Sequence, residues 1–216
     1  MVIARGAPAP GPLQRRPAPA PDFRTLLGEV GWAGLAPAIR ARFAATSALG
    51  DFSGTAELNA SAAGRGLAQL MRLFGGPLPW ITGRGRARVR IQKGPRGALW
   101  DRAYQTGRGG WIHVRSLKRA AAGRLYECAG PIWMRLKLEA RGRALVFLSD
   151  GFFLALGPLR LRLPDVLTPG ALTVIHTDEG EGRFAFILTC DHPVFGRLFD
   201  QTIRLADAPL QGAGHA

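Results

Sequence analysis

From Thr82 onward, apolar and polar residues alternate with period 2, the signature of strands that turn one face to a core. In "RGRARVRI" the side chains of Arg84, Arg86, Arg88 and Arg90 share one face, and those of Gly85, Ala87, Val89 and Ile91 the other. In "IWMRLKLE" the residues Ile132, Met134, Leu136 and Leu138 oppose Trp133, Arg135, Lys137 and Glu139, and "LRLRL" sets Leu159, Leu161 and Leu163 against Arg160 and Arg162. Turn signals such as "KGPRG", "TGRGG", "ARGR", "SDG" and "DEGEG" separate these runs. The pattern predicts an antiparallel meander of about eight to ten strands, apolar on one face and arginine-rich on the other. A sheet of that size curls or closes, so a half-barrel or barrel is expected.

Before Thr82 the period is 3.6. Asp22 is placed to N-cap a helix carrying Phe23, Leu26, Leu27 and Val30 on one stripe, shortened by Gly28 and Gly31. A second helix is expected near Leu35, with Pro37 in its first turn and Ile39 and Phe43 on one face. "FSGTAEL" reads as a strand. "RGLAQLMRLFGGP" reads as a helix with Leu67, Leu70, Met71 and Phe74 inward and Gly75 as its stop. The predicted fold is therefore α+β and mainly antiparallel β: a large curled sheet, half-barrel or barrel-like, covered by two or three short helices from the N-terminal half. The expected organisation is a Pro/Ala/Arg-rich disordered leader over 1–21, one domain over 22–207 and a flexible tail over 208–216. No repeat of fixed period is visible. The strand-like "FGRLFDQTIRL" near the end argues against a helix-grip fold, which closes its sheet with a long C-terminal helix.

Composition adds a question about partners. The 216 residues carry a formal net charge of +14, which raises nucleic acid or an anionic membrane surface. Only Lys93, Lys118 and Lys137 are lysines, so 26 of the 29 basic residues are arginine, a usage that suggests GC-rich coding. The ladder Arg84, Arg86, Arg88 and Arg90 is the candidate basic surface. Its charges stand about 6.6 Å apart and need solvent, acids or a polyanion. A solvated sheet face is the leading reading of that ladder, and with no aromatic RNA-recognition signature beside it nucleic acid ranks last. Two cysteines, Cys128 and Cys190, make no disulfide framework, and no apolar run suits a signal peptide or a membrane span. These features lead to the expectation of a cytoplasmic protein without a transmembrane segment.

The densest collection of chemistry is "HTDEGEGRFAFILTCDHP", with His176, Cys190, His192 and four carboxylates. Folded as a hairpin about "EGEG", it pairs His176 near residue 184 or 185. That leaves Cys190 roughly 16 to 20 Å away, beyond any shared metal ion. Cys190 continues the parity of Phe184, Phe186 and Leu188 and reads as a buried hydrophobe. Asp178, Glu179 and Glu181 read as carboxylates of a solvated turn. "GRGRAR" lacks the third glycine of a dinucleotide fingerprint, and no phosphate loop, nucleophile elbow or His-Glu-x-x-His appears. No catalytic residue, cofactor or metal is therefore assigned. Trp100, Arg102, Trp111, Glu127 and His192 are the candidate ligand-binding residues. The first four belong to a set, with Tyr104, His113, Arg115, Tyr126 and Trp133, that would line an amphipathic cavity if it pointed into a curled sheet, although cross-strand aromatic pairs and exposed charges are the leading reading of that set.

The succession "WDRAY", "HVRS", "GRLYECAGPIWMRLKLE", "LGPLRLRLPDVLTPG" and "EGRFAFILTCDHPVFGRL" resembles the bacterial domain of unknown function DUF4166. The matching positions are Trp100 and Arg102; Glu127, Gly130 and Pro131; Leu163 and Pro164; then Gly182, Arg183, Phe184, Phe186, Pro193 and Gly196. The resemblance covers residues 22 to 207 and rests on order and spacing. Similar domains sometimes follow an NAD(P)-binding oxidoreductase domain, which the resemblance extends to a possible oxidoreductase partner here. It brings no established catalytic residues. The leading expectation is a non-enzymatic module that binds an apolar or amphipathic small molecule in a cavity of at least a few hundred Å3. The alternatives are an enzyme centred on Glu127, Arg102 or His192, and a basic module contacting anionic membrane or nucleic acid.

Overall fold

The computed structural model describes residues 20–44, 50–72, 81–157 and 159–207. Three helices, α1 (Phe23–Gly34), α2 (Pro37–Phe43) and α3 (Ala62–Arg72), accompany β1 (Gly50–Ala60), β2 (Gly83–Gly94), β3 (Gly97–Gln105), β4 (Trp111–Ala121), β5 (Arg124–Ala129) and β6 (Ile132–Arg141). They are followed by β7 (Ala144–Leu156), β8 (Leu159–Arg162), a short 3-10 turn (Asp165–Leu167), β9 (Ala171–Gly180), β10 (Arg183–His192) and β11 (Gly196–Asp207). The sheet order is β6-β5-β4-β3-β2-β1-β11-β10-β9-β7-β8, and β6 also pairs with β7. That last pairing closes ten strands into an antiparallel barrel, with β8 projecting as an edge strand. Of the two expected forms, half-barrel and barrel, the structure has the closed one, which leaves no free edge between β6 and β7.

Alternation decides what lies inside. Ala87 and Val89 of β2, Val114 of β4, Leu125 of β5, Leu136 of β6, Leu145 and Phe147 of β7, Phe184 of β10 and Phe199 and Leu205 of β11 are all buried. Helices α1 and α2 stop one mouth of the barrel. Phe23 and Phe43 meet edge to face at 4.8 Å, Phe23 reaches Phe147 at 6.1 Å, and Phe43 reaches Trp100 at 6.3 Å and His176 at 5.4 Å. Helix α3 lies against β11, where Gly64 lets the helix backbone approach the Leu198 carbonyl.

Several expectations change here. Asp22 does cap α1, accepting from the Arg24 and Thr25 amides, but Gly28 (φ 71°) breaks the helix rather than ending it. The break shifts the helical phase, so Val30 is 90% exposed instead of lying with Phe23. Leu70 is also exposed, because α3 packs through Ala68 and partly through Leu67, and Leu70 lies about 200° around the helix from Ala68. The side chain of Met71, and Phe74 and Gly75, lie outside the described residues. So do residues 1–19 of the expected leader and the expected tail, 208–216. Leu159 and Leu161 do not face the core: β8 pairs only with the distal part of β7, beyond the barrel wall, and both leucines are exposed. No described helix is long and apolar enough to cross a membrane.

The "EGEG" hairpin is tighter than expected. Gly180 pairs with Arg183, leaving Glu181 (φ 52°) and Gly182 (φ 73°) as a two-residue turn whose positive φ values suit the twist of the strands. A bulge at Arg183/Phe184 then sets His176 opposite Phe186, not residue 184 or 185. Cys190 stands four residues further along, still about 13 Å from that pair.

Candidate functional site

The lumen holds one charged cluster, and strand register builds it, while the His176 imidazole is buried apart from that cluster. Trp100 of β3 stands opposite Ser116 of β4, and Lys118 of β4 opposite Glu127 of β5. Even-numbered residues of β3 and β4 and odd-numbered residues of β5 thus share the inner face. Glu127 Oε1 accepts from Arg102 Nη2 at 2.9 Å and from Ser116 Oγ at 2.5 Å, while Oε2 accepts from Lys118 Nζ at 2.8 Å. Ser116 also accepts from Arg102 at 2.6 Å. The Lys118 ammonium lies 4.3 Å from the centre of the Trp100 ring, a desolvated cation–π contact. Side-chain exposures of 16% for Arg102, 6% for Lys118 and 9% for Glu127 mean that these charges stabilise one another far more than a surface pair would.

Burial by itself would raise the Glu127 pKa. Lys118 and Arg102, with the hydrogen bonds from Lys118 and Ser116, reverse that and hold the carboxyl well below the usual range, so it is ionised. Burial also pulls the Lys118 pKa down, with Arg102 acting in the same direction and Glu127 opposing. The Tyr104 phenol is pushed up, chiefly by burial. Two buried donors in this region have no acceptor, Trp100 Nε1 and Arg102 Nε.

Two small cavities adjoin the cluster. One, of about 50 Å3, is bordered by Arg102, Tyr104, Lys118, Glu127 and Gln201 and by apolar side chains including Leu136, Phe147 and Ile203. The other, also about 50 Å3, lies beneath α1 and α2 and is bordered by Phe23, Phe43, Phe52 and His176. Trp100 and Phe186 border both and meet edge to face at 5.9 Å, so this ring pair partitions the lumen. The expected apolar cavity of a few hundred Å3 is thus not found among the described residues: side chains, the Trp100 and Phe186 rings foremost, fill the lumen and leave each cavity room for a few waters.

The sequence candidates separate by parity. Trp100, Arg102 and Glu127 converge inside, together with Tyr104. Trp111, His113 and Arg115 are odd-numbered on β4 and lie on the outer wall, where His113 and Arg115 both pair with Asp101 at 2.9 and 3.1 Å. Tyr126 and Trp133 lie on strand positions out of phase with Glu127 and Met134 and pack together at 5.8 Å. His192 ends β10, and its ring ties down the following turn. Nδ1 accepts from the amides of Val194 and Phe195 at 3.1 and 3.3 Å, and Nε2 lies 3.2 Å from the Val166 carbonyl oxygen. That pattern corresponds to the Nε2–H tautomer, with both nitrogens engaged in holding backbone. A more open cleft of about 480 Å3 beside it is bordered by Asp150, Asp165 and Asp191.

The arginine ladder runs along the outer wall. Arg84 pairs with Glu57 at 3.1 Å and Arg90 with Asp51 at 2.8 Å, while Arg88 lies over the Trp111 ring at 5.0 Å and Arg86 is exposed beside it. Pairing across β1 and β2 thus neutralises both ends of the ladder. Three lumen residues escaped sequence reasoning: Ser116, Lys118 and Gln201. The signal for the first two was present, since Ile112, Val114, Ser116 and Lys118 share a parity, and a lysine that continues an apolar face is a buried lysine.

No curated protein gives a significant match to the chain. The family described as Domain of unknown function (DUF4166) matches residues 35–204, a span that holds ten of the eleven strands whole and most of β11, with every residue of the buried cluster, and the chain belongs to that family.

Proposed function

We propose that the protein is a non-enzymatic small-molecule-binding barrel whose lumen takes a ligand with an apolar body and a polar head, the head lying at Trp100, Arg102 and Glu127. The observation that carries this reading is the placement of two acceptor-less buried donors and three charges beside a cavity whose wall is otherwise mostly apolar. A barrel that needed only stability would fill these positions with apolar side chains, since a buried ion cluster gains little over well-packed hydrophobes. A ligand enters as the Trp100 indole turns away from Phe186 and joins the two cavities, or as α1 and α2 lift from the mouth they stop. A role beside an oxidoreductase follows from the resemblance to fused chains and makes the module a carrier or presenter of that ligand.

Native mass spectrometry of the protein purified from its own source, followed by organic extraction, tests the reading. The expected result is a stoichiometric adduct that extraction releases as an amphipathic small molecule. A bare polypeptide mass, together with no saturable change in tryptophan fluorescence across a panel of decyl carboxylate, alcohol and amine, would remove the reading.

A further inference from the structure

We infer that the head group recognised in the lumen is a carboxylate, so that the ligand class is a monocarboxylate with a slim apolar chain. This rests on the lumen being a ligand site and adds the chemistry that it selects. Among the described residues bordering the cavity of the charged cluster, Glu127 is the one carboxylate, set against the two cations Arg102 and Lys118. Both oxygens of Glu127 are already engaged, Oε1 by Arg102 and Ser116 and Oε2 by Lys118. Among the fully buried side-chain atoms of the residues bordering this cavity, the two without a partner are both donors, Trp100 Nε1 and Arg102 Nε, and two cations stand against one carboxylate.

A carboxylate supplies both missing features, two acceptor oxygens and one negative charge, and its planar group matches a guanidinium edge. An alcohol supplies acceptors without the charge. An amine adds a cation to a site already in surplus. A phosphate monoester carries close to two negative charges against a surplus of one. Apart from Tyr104 and Gln201, the remaining wall of that cavity is apolar and includes Val89, Leu136, Phe147, Leu172, Val174 and Ile203. The chain has one apolar direction to follow, past Trp100 and Phe186 toward the phenylalanine-lined cavity under α1 and α2.

The test uses the full chain at pH 7 and low salt, with hexanoate, decanoate, decanol, decylamine and decyl phosphate as probes, read by calorimetry and tryptophan fluorescence. Decanoate is expected to bind at one site, at least about tenfold tighter than decanol and tighter than hexanoate, with decylamine showing no binding. Lys118→Met, which leaves Arg102 and Glu127 in balance, is expected to bring decanoate down to the affinity of decanol and to leave decanol within about twofold of its original value. Equal affinities for decanoate and decanol, or preference for the amine or the phosphate, would overturn the carboxylate assignment and leave the ligand-binding reading standing. Absence of binding by every probe would overturn both. Carboxylate preference that survives in folded Lys118→Met would remove the assignment to this cluster, and should that variant fail to fold, the head-group series on the native chain still decides.

Discussion

His176 gives the sharpest prediction about stability. It lies on β9 opposite Phe186 of β10 and Leu145 of β7, fully buried, with Phe186 stacked at 4.4 Å and Phe184 and Phe43 at 5.1 and 5.4 Å. Burial first, and then the nearby Arg42 guanidinium, push the imidazole pKa down from 6.5 to about 3, against a small opposing contribution from the Ala185 backbone. The unfolded chain therefore takes up a proton at His176 below pH 6.5, and the folded chain does so only near pH 3. Stability is complete above pH 6.5 and falls as pH drops, by about 1.4 kcal/mol per unit throughout the window between the two values. From pH 6.5 to 5.0 the loss from this one residue is about 2 kcal/mol, and its size does not depend on where near pH 3 the native group titrates. Other groups also respond to acid, so the measurement is a difference. In His176→Phe the added ring volume faces the small cavity beneath α1 and α2. Guanidinium denaturation of both proteins at pH 7.0, 6.0 and 5.0 should show the native chain losing about 2 kcal/mol more than the variant over that range. Parallel stability curves would refute the argument that His176 is held neutral by its surroundings.

Removing the lumen carboxylate by Glu127→Gln should cost about 3 kcal/mol or more, because two buried cations lose their partner, and adding Lys118→Met should recover part of it; a loss below about 1 kcal/mol in denaturant melts would count against the buried triad. Two glycine substitutions should act with opposite signs. Gly54→Ala sets a Cβ against the Arg204 carbonyl of the neighbouring β11 and should lower the denaturation midpoint, whereas Gly66→Ala on the open side of α3 meets nothing and should raise stability by about 0.5 to 1 kcal/mol. Cys128 and Cys190 are buried, and burial first of all pushes both thiol pKa values up to about 12. Ellman's reagent should therefore label neither within minutes in the native protein and both after denaturation, and rapid native labelling would contradict their burial.

The period-2 run after Thr82 correctly indicated the strands because each has one face on the core and one outside, and the pattern is a direct record of that asymmetry. It misled at β8, where "LRLRL" has the same alternation but the strand leaves the barrel and has no core to face. Helix α1 shows the same limit in the other half: the spacing of Phe23 and Val30 is right for a continuous helix, and the φ of Gly28 rotates the second half away. The register of the "EGEG" hairpin was also hidden, since turn length and a bulge together decide it and neither leaves an unambiguous mark in composition.

The candidate site was half legible. Trp100, Arg102 and Glu127 stood out as polar or aromatic residues on neighbouring strands, but so did Trp111, His113 and Arg115, and only parity on β4 separates those inside from those outside. By itself the sequence determined the strand content, the inward faces, the burial of Cys190 and the separation of His176 from Cys190, because each follows from local alternation and the rise per residue. Only the tertiary structure decided that β6 meets β7 to close the barrel, that Arg102 and Lys118 share one carboxylate, and that Asp51 and Glu57 neutralise the ends of the arginine ladder. Those pairings join residues 25, 9, 39 and 27 positions apart in the case of the ion pairs, and a local pattern carries no information about which distant strand will lie alongside.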